Sequence, residues 1–287
     1  MLKYFDLTIS IVSFNTKDKL KNCLDSIYQN TRGIRFEVIV VDNGSKDGSA
    51  KMVTTLFPEV NLIKNSQNLF FTRAHNMALR KARGKFVLIL NSDTTIPEKA
   101  LKKMVDFLKK NPSIGALGVR LQDSLGNIEI TAQRFTNPVV EIFKSNILSK
   151  IFSNQNLLSK IHYKNWDRRS SRYVDAVSDA CLLSPRFVLE QVSFYDERFL
   201  LFFTEDDLCR RIKQAGYKIY FLADVFIIHL VAQSLRYFSA SKNYQFFEHD
   251  MLEYYKKYFG RFWWITLWAI YRPTEFYWKL KPFINRN

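Results

Sequence analysis

The stretch 85-KFVLILNSDTTIPEKAL-101 decides how this chain is read. Its apolar run, Phe86 to Leu90, suits a strand buried on both faces, and it stops abruptly at Asn91-Ser92-Asp93. A helix-like segment opens after Pro97. A carboxylate at such a strand end either caps the turn into the next helix or faces a ligand at the lip of a sheet. Asn-Ser-Asp alone leaves both readings open.

Outward from this point the first 120 residues alternate strand and helix signals. Leu7–Val12, Phe36–Val41, Val60–Ile63 and Ile114–Val119 read as further strands. Leu20, Cys23, Leu24 and Ile27 recur at helical spacing, and Ser49–Leu56, Ala74–Ala82 and Leu101–Leu108 read as helices. Continuous apolar strands separated by helices predict a mostly parallel sheet covered on both faces. Ligands of such sheets sit beyond the carboxyl ends of the strands. The polar stops Ser13-Phe14-Asn15, Asp42-Asn43 and Asn91-Ser92-Asp93 all lie at those ends. Later come a helix from Pro185, an acidic cluster Glu205-Asp206-Asp207, and two short strands, Lys218–Phe221 and Val225–His229.

Composition narrows the class. A chain of 287 residues that is 47% hydrophobic and 24% charged is globular, with enough length for a large core. Cys23, Cys181 and Cys209 are odd in number and far apart, which argues against a disulfide framework or zinc knuckle and suits a reducing compartment. The net charge of +16 favours an anionic partner: nucleic acid, an acidic leaflet or a phosphorylated substrate. The first residues, MLKYFDLTIS, lack a secretory-signal pattern, and no apolar run is long enough to span a bilayer. Residues 131–172 carry eight Lys/Arg against two Asp/Glu and read as a mobile basic excursion over the site.

Each polar cluster has a plain structural reading beside a chemical one. Asp42-Asn43-Gly44-Ser45 is a good turn, and its carboxylate can also accept a pyrimidine N–H. Acids at Glu205-Asp206-Asp207 can pair with Arg210 and Arg211 and favour a helix start, or one of them can take a proton from an attacking hydroxyl. His229 is either a satisfied edge histidine or a partner of Asp93 on a metal. Arg73 and His75, at a helix start, suit phosphate binding or a solvated face.

Order raises the weight of these signals. The pieces 9-ISIVSFNTKDKLKNCLDSI-27, 38-VIVVDNGSKDGS-49, 68-NLFFTRAHNMALRKARGKFVLILNSDT-94, 174-VDAVSDACLLS-184 and 194-FYDERFLLFFTEDDLCRRIKQAGYKIYFLADVFIIH-229, with Ser234, resemble the family 2 glycosyltransferases of the GT-A fold, rhamnosyltransferase-like branch. The resemblance implies an α/β Rossmann-like sheet with helices on both faces and a C-terminal helical, aromatic and basic extension. It implies a catalytic domain over 1–241, with a nucleotide-binding half at 1–120 and an acceptor half at 121–241. The segment 242–287 would contact membrane or a second subunit.

The resemblance further implies roles. Ser13, Asn15, Asp42, Asn43, Asn68, Arg73, Asn76, Asn91 and Ser92 would line a dTDP- or UDP-sugar donor. Asp93, with His229, would hold Mg²⁺ or Mn²⁺ on its phosphates. Glu205 or Asp206 would be the base of an inverting displacement onto a glycan or lipid-linked glycan. Three departures stand out: Phe70 where the family usually has Gly, Asp179 where it has a small residue, and Thr204-Glu205-Asp206-Asp207 where it reads Glu-Asp-x-Asp. They leave open a binding-competent but impaired homologue.

Trp263, Trp264, Trp268, Tyr271 and Trp278 among Lys256, Lys257, Arg261, Arg272, Lys279 and Lys281 suit an interfacial helix on anionic lipid, at the cytoplasmic face where the family works, or a helix packed on the catalytic domain or a second subunit. A nucleotidyltransferase is disfavoured because no glycine-rich loop follows the first strand. A nucleic-acid binder is disfavoured because the basic residues are dispersed and no recognition module is evident.

Overall fold

The computed structural model describes residues 5–144, 161, 163, 166–230 and 238–284, with side chains as far as Pro273. Ser234 and the side chains of Trp278, Lys279 and Lys281 lie outside the described residues, as does much of the basic stretch after Lys144.

The apolar runs form β1 (Phe5–Ser13), β2 (Phe36–Asp42), β3 (Asn61–Lys64) and β4 (Gly84–Asn91). Between them run α1 (Lys17–Asn30), α2 (Ser49–Leu56) and α3 (Phe70–Leu79). A two-residue β5 (Thr94–Thr95), α4 (Ala100–Lys110) and β6 (Ile114–Gln122) follow. Next come β7 (Ala132–Gln133), α5 (Pro138–Lys144), β8 (Arg172–Val174), β9 (Ala176–Val177) and β10 (Cys181–Pro185). The remaining elements are α6 (Arg186–Gln191), α7 (Thr204–Gln214), β11 (Lys218–His229), α8 (Ala240–Phe259) and α9 (Arg261–Ile284).

The main sheet runs β3-β2-β1-β4-β10-β6-β11-β5, with β8 beside β11. Strands β1, β2, β3, β4, β6 and β11 point one way, and β5, β8 and β10 are antiparallel to their neighbours. Period-two alternation divides the core. Phe86, Leu88 and Leu90 join α1, α2 and α4 on one face, while Val87 and Ile89 meet α6 and α7 on the other. The architecture is the mainly parallel α/β one that the strand pattern predicts.

Register positions the site. Ser13 pairs with Asp42, and Val12 with Asn91, so the carboxyl ends of β1, β2 and β4 lie side by side. Residues Lys218–Phe221 and Val225–His229 form one strand, not two, because a bulge between Leu222 and Phe226 keeps β11 paired with β6. The extra length carries His229 to a pairing with Thr94.

The C-terminal helices are built into the body of the protein. Met251, Tyr254 and Tyr255 of α8 and Leu267 and Tyr271 of α9 form a buried cluster with Phe199. Burial of such side chains stabilises by about 1.5–3 kcal/mol each. The Tyr255 and Tyr271 hydroxyls both donate to the buried Glu141 carboxylate of α5, each at 3.1 Å. The outer face of α9 leaves Phe262, Ile265 and Trp268 in solvent.

Candidate active site

A cleft of about 560 Å³ opens at the joined strand ends, lined among others by Phe14, Asn43, Asn68, Phe70, Asn91, Ser92, Asp93 and Leu201. At one end the pairing of β11 with β5 sets His229 Nε2 3.4 Å from Asp93 Oδ1 and 3.4 Å from Asn91 Nδ2. Glu129 Oε2 stands 3.1 Å from His229 Nδ1. A carboxylate only accepts, so Nδ1 carries a proton, and Nε2 is turned toward Asp93, which lines the cleft. Burial pulls the imidazole pKa down, but hydrogen bonds to Asp93 and Glu129 outweigh it and lift the value to about 9.

This donor set would fit a hard divalent cation that displaces the Nε2 proton: one carboxylate and one imidazole, the latter oriented by a second carboxylate, would leave positions open for phosphate oxygens. Among the described residues no group of three or more His, Cys, Asp or Glu is placed to hold a metal by itself. Any ion bound here would therefore complete its shell with water or substrate oxygens.

Across the cleft, β2 ends in a loop cross-linked through Asn43. Its Nδ2 donates to Asn68 Oδ1 (2.7 Å) and Phe70 O (3.1 Å), and its Oδ1 accepts from Asn65 Nδ2 (3.1 Å) and Leu69 N (2.9 Å). Gly44, at φ +82°, lies so close to Gln67 that a Cβ would meet backbone at 2.9 Å. Asp42 is buried: Ser45 N–H donates to its Oδ2 (3.2 Å), while Oδ1 has no partner. An orphan acceptor at a strand end is suited to an N–H of a ligand. Hydroxyls of Ser13, Thr16 and Ser92 form a chain with 2.9 Å steps that ties the end of β1 to that of β4. Phe70 takes φ +62°, the conformation glycine adopts readily, at a cost of about 1–2 kcal/mol for any other residue. Its ring stacks with Phe238 at 6.5 Å, walling the cleft.

The acids lie at the start of α7. Glu205 is half-buried and lines a second hollow of about 300 Å³ with Thr131, Gln133, Val177 and Ser178. Asp206 is buried, accepts from Gln133 Nε2 (3.1 Å), and does not pair with Arg210, which donates instead to Tyr254 Oη (2.5 Å). Asp207 does pair with Arg211, at 2.8 Å. Thr204 Oγ1 reaches both Asp179 Oδ2 (2.6 Å) and Glu205 Oε2 (3.2 Å). Burial raises the pKa of Glu205 and of Asp206, and burial with the neighbouring Glu205 charge lifts Asp179 to about 8.

That shift has a stability consequence. With a folded pKa near 8 against an ordinary 3.8, Asp179 contributes stability fully present below 3.8 and lost as pH rises through 8. Asp179→Asn is therefore expected to raise the melting temperature by a few degrees above pH 8 and to change little in acid. Melting curves of both proteins across pH check this, and parallel curves contradict it.

Four residues named from sequence point elsewhere. Asn76 is buried and bolts α3 to the loop before α7: Nδ2 donates to Tyr195 O (2.9 Å) and Glu197 Oε1 (3.0 Å), and Oδ1 accepts from Tyr195 N (3.0 Å). Arg73 is exposed, 3.9 Å from Glu197, and absent from the cleft lining. Asn15 joins the β1 and β2 loops, accepting from Lys46 N at 2.8 Å, and lines a separate hollow with Lys17 and Asp47. His75 is fully buried beside Ser10 (2.8 Å), with burial pushing its pKa down to about 3. Glu129 and Leu201 were not singled out from sequence. Glu129 is 100 residues from His229, a separation that leaves no local signal.

A mainly parallel α/β sheet with a cleft at its strand ends, carrying Asp93, is the setting in which such folds bind ligands. The family model for glycosyl transferase family 2 matches residues 8–172, more than half of the chain, and the protein belongs to that family. An N-acetylglucosaminyl-diphospho-decaprenol L-rhamnosyltransferase of Mycobacterium tuberculosis is 24% identical over 208 residues, 69% of this chain and 67% of that one. A poly(ribitol-phosphate) beta-glucosyltransferase of Bacillus spizizenii is 29% identical over 147 residues, 50% of this chain and 23% of that one. Among solved structures, a mannosyltransferase from Pyrobaculum calidifontis in complex with GDP-Man and Mn²⁺ superposes with TM-score 0.59 at 18% identity, covering 89% of this chain and 64% of that one. Residues 1–349 of TarS from S. aureus give TM-score 0.55 at 15% identity, covering 88% and 72%. The fold is GT-A.

Proposed function

We propose that this protein is a metal-dependent inverting glycosyltransferase. It moves a sugar, rhamnose from dTDP or a sugar from UDP, to a hydroxyl of a bacterial cell-surface glycan, with a lipid-linked glycan as the favoured acceptor. The observation that carries this reading is one cleft lined by Asp93, Asn91 and Asn43, with His229 3.4 Å from Asp93 and Asp42 at the neighbouring strand end. In this reading Asp42 Oδ1 accepts the pyrimidine N–H, while Asn43 and Asn68 hold the loop against the donor. Asp93 and His229 hold Mg²⁺ or Mn²⁺, which offsets charge developing on the departing nucleoside diphosphate. Glu205, accessible from the second hollow, takes the acceptor proton as oxygen attacks the anomeric carbon from the opposite side. Membership of the family, the relative named for lipid-linked transfer and the neighbour holding Mn²⁺ support this assignment.

The test is a panel of nucleotide sugars screened by thermal shift with and without Mn²⁺, since a ligand of the native state raises apparent stability. A metal-dependent shift with a dTDP- or UDP-sugar is expected. Shifts that ignore the metal, or none with any member, count against the assignment.

No helix among the described residues is long and apolar enough to cross a membrane. We place the protein at the cytoplasmic face of the membrane, docked through the outer face of α9. There Phe262, Ile265 and Trp268 are exposed, and Arg272 lies over the Trp268 ring at 5.3 Å. Ile265→Glu combined with Trp268→Glu is expected to cut sedimentation with anionic vesicles about tenfold or more, as burying charge in the interface is unfavourable. Unchanged sedimentation contradicts this docking face.

A further inference from the structure

The segment joining α6 to α7 is gripped from two sides. On one, α3 holds it: Thr72 Oγ1 donates to Phe199 O (2.5 Å) and Phe71 N to Leu200 O (3.0 Å). On the other stands Asp250 of α8, fully buried. Its carboxylate accepts from three consecutive backbone amides: Leu200 (3.0 Å), Leu201 (2.8 Å) and Phe202 (2.8 Å). Successive N–H groups converging on one anion form a nest, and such bonds replace the water a buried carboxylate has lost.

The fixed segment leads directly into chemistry. Leu201 lines the donor cleft, and Phe203 follows at φ +57°, a conformation costing about 1–2 kcal/mol outside glycine. Glu205 comes two residues later. Two turns further along α8, Lys257 Nζ reaches Asp196 Oδ2 (2.8 Å) within the segment and also contacts Asp207 in the first turn of α7. The helix therefore holds the segment at Asp196 and at residues 200–202, and the start of α7 at Asp207.

We propose that Asp250, aided by Lys257, is a positioning residue of the reaction. By holding amides 200–202 it keeps the strained turn at Phe203 formed, which aims Glu205 and sets the Leu201 wall of the cleft. The catalytic consequence rests on the transferase reading above, whereas the clamp itself does not. An asparagine at 250 would present one acceptor oxygen and an NH₂ group to three N–H donors, which that group cannot satisfy.

The experiment compares Asp250→Asn and Lys257→Met with Tyr255→Phe in the full chain. Tyr255 sits on the same helix and its ring packs on Phe203 at 6.1 Å, but its hydroxyl bonds Thr136 and Glu141, so the substitution keeps the ring contact and removes no bond to the segment. Hydrogen exchange at amides 199–204 is expected to quicken about tenfold or more in the first two, with β4 amides unchanged, and to stay as wild type in the third. Turnover of whichever nucleotide sugar the wild type uses is expected to fall about 10–100-fold, as for misplacement on the scale of an ångström. UDP or dTDP binding with Mn²⁺ should stay within about threefold, because other elements carry it. Wild-type exchange at 199–204 in Asp250→Asn, equal loosening in Tyr255→Phe, or full turnover despite loosening overturns the proposal. If Asp250→Asn does not fold, Lys257→Met decides by the same readings. If no nucleotide sugar is turned over by wild type, the transferase reading fails and exchange alone decides the clamp.

Discussion

Asp93→Ala is expected to lower transferase turnover about 10³-fold or more and to remove the Mn²⁺ dependence of nucleotide binding. The carboxylate closes β4 at the cleft, and the Asp93 carbonyl accepts from Leu230 N at 3.0 Å. That backbone bond survives the substitution, so β5 and β11 stay paired and the loss is chemical. Without the carboxylate, His229 and Asn91 alone remain to face the phosphates, too weak a set for a hard cation. Calorimetric titration of UDP or dTDP with and without Mn²⁺, beside a melting curve, checks this. Unaltered metal-dependent binding in the variant contradicts the role given to Asp93.

Glu205→Gln is expected to lower turnover about 10²–10⁴-fold while donor affinity holds, the range for losing a general base. Asp206→Asn should cost less, since Asp206 is buried against Gln133, whereas Glu205 opens on the second hollow. The reverse ranking would move the base to Asp206. Burial holds Glu205 above the usual 4.5, so the active, ionised form is lost as pH falls through that raised value. The acid limb of the rate profile should thus lie above pH 4.5 and vanish in Glu205→Gln. Identical limbs in the two proteins would exclude Glu205 as its source.

Much of this was legible because apolar strands that end in polar residues announce both their burial and their ends. Phe86–Leu90 is the clearest case, and its flanks differ from β4 by a residue or two. Two-residue strands such as β5 carry no periodicity to detect. The bulge in β11 hides strand continuity behind Ala223-Asp224, and α3 begins at Phe70 without a capping side chain, four residues before its periodicity shows. At the site, residue type and strand-end position were readable, but partners were not. Asn76 and His75 look like polar site residues until α3 packs on the sheet and the Tyr195 segment, where both become fastenings. Glu129 and Asp250 act across 100 and about 50 residues, and nothing near either one in sequence marks its partner.

The segment beyond 241 shows the same limit. Its aromatics and cations suit a membrane-facing helix or one packed on the catalytic domain, and Tyr254, Tyr255 and Tyr271 are turned inward while Phe262, Ile265 and Trp268 are exposed. Among the described residues α8 and α9 pack on the body of the protein through this cluster.

The most direct measurement is anomalous scattering from crystals grown with Mn²⁺ and UDP or dTDP. A manganese peak between the Asp93 carboxylate and the His229 imidazole, sharing diphosphate oxygens with the ligand, is the predicted result. A nucleotide seated in the cleft with no manganese there, or manganese held elsewhere, would contradict a metal-assisted transfer centred on the end of KFVLILNSD.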